Sequence, residues 1–310
     1  MNHSAVSRFA LWRRGLGKEK ELWFWTILCL VWWVIFFIIP IYGVSYSFFN
    51  YTPGRALTWD RFVGLKNFIS FFQSRDAWKI IRNTLVISGL NMTIGFIAPI
   101  FLALQLDEVR QGLFKRSVQT ISYMPYFVSW VVVASLATAL LNSDGVVNEV
   151  LQKLGLTDRA VPFLTEGKYF WGLVTCLNIW KTVGWSTILY MSAITGIDQN
   201  LYEAGAVDGI NRWGMVRYIT LPSIMPTIVL LFILNIGNFL NLGYEQNLLL
   251  GQSTTRAYWE IIDTYVYRYG IQLGRYSFSI AIGLMKSVIG IALVFISNGI
   301  ARKYTDYSIM

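Results

Sequence analysis

At 310 residues the chain is long enough for two soluble domains, yet 55% of its residues are hydrophobic and only 14% are charged. Apolar runs of roughly 20 residues, the length that crosses a bilayer's hydrocarbon core, recur along it. This excludes an ordinary soluble enzyme and predicts an all-α polytopic membrane protein, because each span must satisfy its own backbone hydrogen bonds in lipid. The net charge of +9 sits on the flanks of apolar runs, with no basic patch interleaved with exposed aromatics, which speaks against nucleic acid as a partner. His3 is the single histidine, and both cysteines, Cys29 and Cys176, lie in apolar runs. A metal site built on these residues is therefore excluded, and a disulfide is disfavoured.

In chain order, residues 1–21 form a polar tail with Arg8, Arg13, Arg14, Lys18 and Lys20. The first span is 22–46, too long for a signal peptide and without a small-residue cleavage site. An outer connection, 47–78, carries a short helical piece near 65–72. The second span is 80–106 with Pro99 inside it. A charged loop with Arg110, Lys115 and Arg116 precedes a third span, 118–141, which has Pro125 near its start. Residues 142–168 return outside, with helical spacing over 146–154. The fourth span is 169–194, the fifth 224–242 and the sixth 276–300. Between the last two, 244–275 is an outer loop with helical spacing around 258–267. Lys and Arg in the polar segments are nearly balanced between the two sides, but the N-terminal basic cluster and the Arg110–Lys115–Arg116 loop, together with the resemblance given below, lead us to expect both termini in the cytoplasm. The tail is 301–310.

One inner stretch, 197–222, reads YEAGAVDGINRWGMVRYITLP from Tyr202 on. Glu203 and Ala204 favour helix. Gly205 and Gly209 weaken it and permit close backbone approach. Asp208-Gly209 reads as a turn and Asn211 as the cap of a second short helix. Leu221-Pro222 is expected to end that helix.

Glu203-Ala204, then Gly209, then Ile219-x-Leu221-Pro222 resembles the EAA loop of permease subunits in binding-protein-dependent ABC importers, the maltose-type sugar permeases among them. Gly205 stands where that family usually has a second alanine. Gly64-Leu65-Lys66-Asn67-Phe68 and Met124-Pro125-Tyr126-Phe127-Val128-Ser129-Trp130 resemble the polysaccharide and complex-oligosaccharide branch. The resemblance covers roughly residues 22–300 and implies a type I importer permease with a MetI-like core in a bacterial plasma membrane. It implies a second, similar permease subunit, two ATP-binding subunits holding ATP and Mg, an extracytoplasmic solute-binding protein and a carbohydrate substrate. Glu203, Ala204, Gly205, Asp208, Gly209, Ile219, Leu221 and Pro222 would form the ATPase-coupling loop. No G-x-x-x-x-G-K-[ST] loop occurs in the chain, so it binds no nucleotide by that device and is not itself the enzyme.

The solute path has candidates in three spans. Asn178, Lys181, Trp185 and Ser192 share one helical face of the fourth. Lys181 lies near mid-bilayer, where an ionisable group either faces a cavity or is paired. Asn235, Asn238 and Asn241 follow one another in the fifth, either lining the path or bonding helix to helix. Lys286 in the sixth has the same two readings as Lys181. Two lysines without an acid in the later spans suit an anionic sugar such as a uronate. Asp144, Asp158, Glu245 and Asp263 fall on outer loops, solvated or in contact with a solute-binding protein. An ion-coupled sugar transporter would want intramembrane Asp or Glu, and an enzyme on lipid-linked sugar would want an acidic or histidine cluster. Neither pattern is present in the spans.

Overall fold

The computed structural model describes residues 20–304; the tails read for 1–19 and 305–310 lie outside the described residues. Among the described residues the architecture is helical, apart from an isolated bridge between Phe49 and Phe62. Five helices are long and apolar enough to cross a membrane. They include α1 (Lys20–Phe48) and α2 (Ala77–Glu108). A sixth long helix, α6 (Phe170–Thr195), has 26 residues, or roughly 39 Å at 1.5 Å per residue. It has the length of a span but is too polar to count with the five, since it carries Asn178, Lys181 and five Ser or Thr residues between 175 and 192.

The expected third span, 118–141, is not one helix. It divides into α3 (Leu113–Tyr123), a 3-10 turn Met124–Phe127 and α4 (Trp130–Leu141). Pro125 has no N–H to donate to the preceding turn. Val128 and Ser129 are extended, and the Ser129 hydroxyl caps α4 by accepting from the Val132 N–H at 3.4 Å. A second break at 142–145 separates α4 from the amphipathic α5 (Val146–Lys153). Next comes α7 (Gln199–Val207), then α8 (Arg212–Gly237) and finally α9 (Tyr276–Tyr304).

Packing follows from polarity. α1 exposes its apolar side chains along residues 22–42 and buries none of them. It joins the rest only near its end, where Asn67 of the Gly64–Phe68 motif donates to the Ser47 and Phe49 carbonyls at 2.8 and 3.3 Å. α6 lies at the centre, packed on α2, α3 and α8. At its 197–222 end, Ala103, Leu106, Tyr190, Met191, Ile194, Ile197 and Ile224 form one apolar cluster. At the other end Phe170 and Val174 meet Ile87, Ala134, Ala137, Leu250 and Ile261.

The connection 238–275 folds back over α2 rather than standing off as a solvated loop. Asn83, fully buried, donates to the Ala257 and Glu260 carbonyls at 3.0 and 2.9 Å. Glu260, 4% exposed, holds Arg256 at 3.1 Å and Arg268 at 2.7 Å. Asn83→Ala takes the side-chain donor from the buried Glu260 carbonyl, while the Ala257 carbonyl keeps Arg82 Nη2 at 2.9 Å, and is expected to cost about 1–3 kcal/mol. A lowered midpoint of thermal unfolding in detergent checks this; an unchanged midpoint contradicts it.

Candidate functional site

Two regions carry function-bearing side chains, and the α6–α2–α8 cluster links them. The first is the hairpin of α7 and the start of α8. Asp198 caps α7 by accepting from the Asn200 N–H at 3.0 Å. At the other end, Gly209 takes φ +74, the left-handed conformation that costs glycine nothing. There Ile210 N–H donates to the Gly205 carbonyl at 2.9 Å and Gly209 N–H to the Ala206 carbonyl at 3.1 Å, which closes the helix with a Schellman motif. Asn211 then accepts from Gly214 N–H at 2.8 Å and starts α8. The Asp208-Gly209 turn and the Asn211 cap are where local chemistry puts them.

The glycine at 205 has a packing reason. It is buried, and a Cβ there would lie 2.8 Å from Ile219 Cδ1 and 2.9 Å from Met215 Sδ. The bulk usually supplied by a second alanine comes instead from α8. Glu203, Ala204, Asp208 and Gly209 are exposed. Beside them stand two apolar side chains that the sequence reading missed, Val207 at 88% and Trp213 at 71% exposure. Nothing in their spacing marks them as surface residues.

Leu221-Pro222 does not stop the helix. α8 runs through it, with a π-turn at Val216–Thr220 and Leu221 at φ −61, ψ −46. The widened turn accommodates the missing Pro222 N–H, and the preceding residue stays helical. The helix ends instead at Gly237, and Asn238 (φ −96, ψ 9) begins a turn. Asn241 is therefore off the helix on which its spacing placed it.

The second region is a cavity of about 360 Å³ between α2, α6, α8 and the start of the returning connection, bordered by Asn91, Asn178, Asn235, Asn238, Asn241 and Gln246. Its volume is in the range of small-ligand sites. A π-turn at Asn91–Gly95 turns Asn91 inward, where its Oδ1 accepts from Asn178 Nδ2 at 2.9 Å. Asn235 and Asn238 donate to the carbonyls one turn back at 2.8 and 3.2 Å, and Asn241 donates to Asn238 Oδ1 at 3.4 Å. The Ser88 hydroxyl, on a residue 2% exposed, is buried on this wall without a hydrogen-bond partner among the described residues. Phe96, Tyr190 and Phe239 supply aromatic surface. No charged side chain lines the cavity among the described residues. Asn91, Ser88 and Gln246 were not singled out from the sequence; their polarity inside or beside apolar runs was the available signal.

Lys181, Trp185 and Lys286 stand elsewhere. Lys181, 9% exposed, donates to the Pro125 carbonyl at 3.3 Å, the Tyr126 carbonyl at 2.7 Å and the Val128 carbonyl. These are carbonyls of the break between α3 and α4, so the Met124–Trp130 motif is the seat of this lysine. Gly184, one turn on, lets the Ser122 carbonyl approach where a Cβ would collide with it. Trp185 stacks on Tyr126 at 4.7 Å and 7°. Lys286 pairs with Asp263, whose other oxygen accepts from Gly243 N–H at 2.9 Å. Asp263 is thus a bonded member of the bundle and not a solvated loop acid. Both lysines are held by groups of this chain, and Lys286, with Asp263 and Asn241, also borders a second, more open cavity.

With this geometry in view, comparison with known proteins defines the class. Residues 95–306 match the profile described as binding-protein-dependent transport system inner membrane component, and the chain belongs to that family: it is a multi-pass permease component of an ABC importer. It is 41% identical to Protein LplB of Bacillus subtilis (strain 168) over 94% of this chain and 92% of that one. It is 40% identical to the polygalacturonan/rhamnogalacturonan transport system permease protein YteP of the same organism, over 95% and 91%. A chain of the bacterial alginate ABC transporter, solved in complex with alginate pentasaccharide-bound periplasmic protein, superposes with TM-score 0.86 at 36% identity, covering 96% of this chain and 99% of that chain.

The position of Lys181 makes a prediction. Lys181→Met strips the ammonium from three carbonyls and is expected to cost about 2 kcal/mol or more. A fall in the thermal midpoint of the detergent-solubilised protein checks it. An unaltered midpoint combined with impaired solute binding contradicts a structural role.

Proposed function

We propose that this chain is one of two transmembrane subunits of an ATP-driven importer for an oligosaccharide or polysaccharide, which an extracytoplasmic binding protein delivers. The observation that carries this reading is the uncharged, amide-lined cavity bounded by the same helices, α2, α6 and α8, that reach the exposed α7 hairpin at their other end. An amide offers a donor and an acceptor in one group, which matches sugar hydroxyls, and the aromatic residues on the wall suit the apolar faces of pyranose rings. Each such hydrogen bond contributes about 0.5–1.5 kcal/mol net. Several together hold a sugar loosely enough for it to leave again.

In this reading α7 and the exposed Glu203, Asp208, Val207 and Trp213 around it dock into a groove on a separate ATPase subunit, as helix-in-groove recognition does elsewhere. Residues 197–222 and both termini lie in the cytoplasm. ATP and Mg are bound by two partner subunits, and the second permease completes the cavity. ATP-driven closure of the ATPases moves α7, and the bundle exchanges its inward-open for its outward-open arrangement by rigid-body motion. Relatives that carry polygalacturonan, rhamnogalacturonan and alginate across a membrane support a polymeric sugar as solute.

Two experiments test the reading. In membranes expressing the whole transporter, Asn235→Leu and Asn238→Leu are expected to raise the KM for oligosaccharide uptake about three- to tenfold each, with little change in subunit assembly; an unchanged KM in both removes the cavity from the path. Glu203→Ala combined with Gly209→Arg is expected to abolish ATP hydrolysis stimulated by the loaded binding protein while the chain stays in the membrane. Full stimulation in that variant contradicts the coupling role of α7.

A further inference from the structure

Two features at the foot of α8 oppose each other. The helix is softened there, because Val216–Thr220 is a π-turn and Pro222 brings no N–H for the carbonyl four residues back. Helices bend at such places. A push on α7 that reached α8 only through this joint would be absorbed by it.

A polar tie crosses the joint. Tyr202 Oη lies 2.9 Å from Thr220 Oγ1. The Thr220 hydroxyl in turn donates to the Met215 carbonyl at 3.4 Å, so Tyr202 is the donor. Thr220 is 2% exposed, and water competes little for this bond. Burial holds the Tyr202 phenol above its ordinary pKa, so its proton stays in place throughout the neutral range. The Tyr202 ring also packs on the cluster of Leu106, Ile194, Ile197 and Ile224. On the next position of the same face, Gly205 admits Met215 and Ile219. α7 is thus clamped to residues before the π-turn and within it.

We propose that the Tyr202–Thr220 hydrogen bond braces the π-turn, so that α7 and the membrane part of α8 move as one body. Tyr202 and Thr220 are then positioning residues for transport; they touch neither solute nor nucleotide. The proposal rests on the reading of α7 as the ATPase-facing helix.

The test uses the assembled transporter in proteoliposomes and measures sugar moved per ATP hydrolysed for Tyr202→Phe, Thr220→Val, the double variant and Thr220→Ser. The brace predicts that each of the first two lowers this ratio at least threefold, with subunit stoichiometry and basal ATP hydrolysis retained. The double variant is no worse than either single one, since one bond cannot be lost twice, and Thr220→Ser stays within twofold of the wild type. Unchanged ratios in both single variants, or losses that multiply in the double, overturn it. A second measurement does not depend on the ATPase. Spin labels at Val207 and Leu230, both exposed, are expected to give a broader distance distribution in Tyr202→Phe than in the parent, and equal widths overturn the brace. A separate cross-linking arm with Glu203→Cys reports whether α7 meets the ATPase at all. Its failure would sink the coupling reading, and the distance measurement would still judge the brace.

Discussion

A membrane helix that carries polar side chains on most of its circumference cannot be left against lipid, and the arrangement around α6 follows from that constraint. An unpaired polar group in hydrocarbon costs several kcal/mol. Polar positions on α6 are accordingly met by other segments, the buried Thr175 hydroxyl excepted among the described residues. Asn178 is met by Asn91, Lys181 by the carbonyls of a broken helix, and Thr187 by the Pro99 carbonyl at 3.3 Å. Three other segments therefore wrap α6, and the apolar surface left over is exposed on α1, α4 and α9.

The same constraint gives the two sides of α6 different surroundings. On one side of α6 the polar groups are used up: an ammonium binds the Pro125, Tyr126 and Val128 carbonyls where Pro125 and the extended Val128–Ser129 pair interrupt the helical ladder. On the other side the amides border a cavity and keep hydrogen-bonding capacity on its wall. Two irregular stretches of backbone, the π-turn at Asn91–Gly95 and the break at 124–129, lie at these two places, where protein or cavity can satisfy them. At the 197–222 end, α6 shares one apolar cluster with α2, α8 and the hairpin, so displacement of the hairpin bears directly on the helices that bound the cavity.

What the sequence made legible was local or periodic. The spans, the Asp208-Gly209 turn and the Asn211 cap each follow from a few adjacent residues, and the resemblance pointed to the permease class that the family match bears out. What stayed hidden depended on distant partners. The helical wheel set Asn178, Lys181 and Trp185 on one face, but it could not reveal that Pro125, 56 positions away, provides a seat for the lysine and divides the face. Lys286 reads as a lone charge until Asp263 folds back over the bundle. Pro222 looks like a terminator because periodicity has no symbol for a π-turn. α6 reads as a span by its length, but its composition falls short of the other five because it carries a polar face that α2, α3 and α8 cover.

The central claim is that the amide-bearing cavity is wet and holds the solute, while the opposite face of α6 is shielded from water. With Cys29 and Cys176 changed to serine, single cysteines at Asn238 and at Met191, which is 9% exposed within the apolar cluster, in the assembled transporter would be treated with a water-soluble thiol reagent, with and without the oligosaccharide-loaded binding protein. The account predicts that Asn238→Cys reacts and is protected during turnover, and that Met191→Cys is inert. Reaction at Met191→Cys with silence at Asn238→Cys would contradict it.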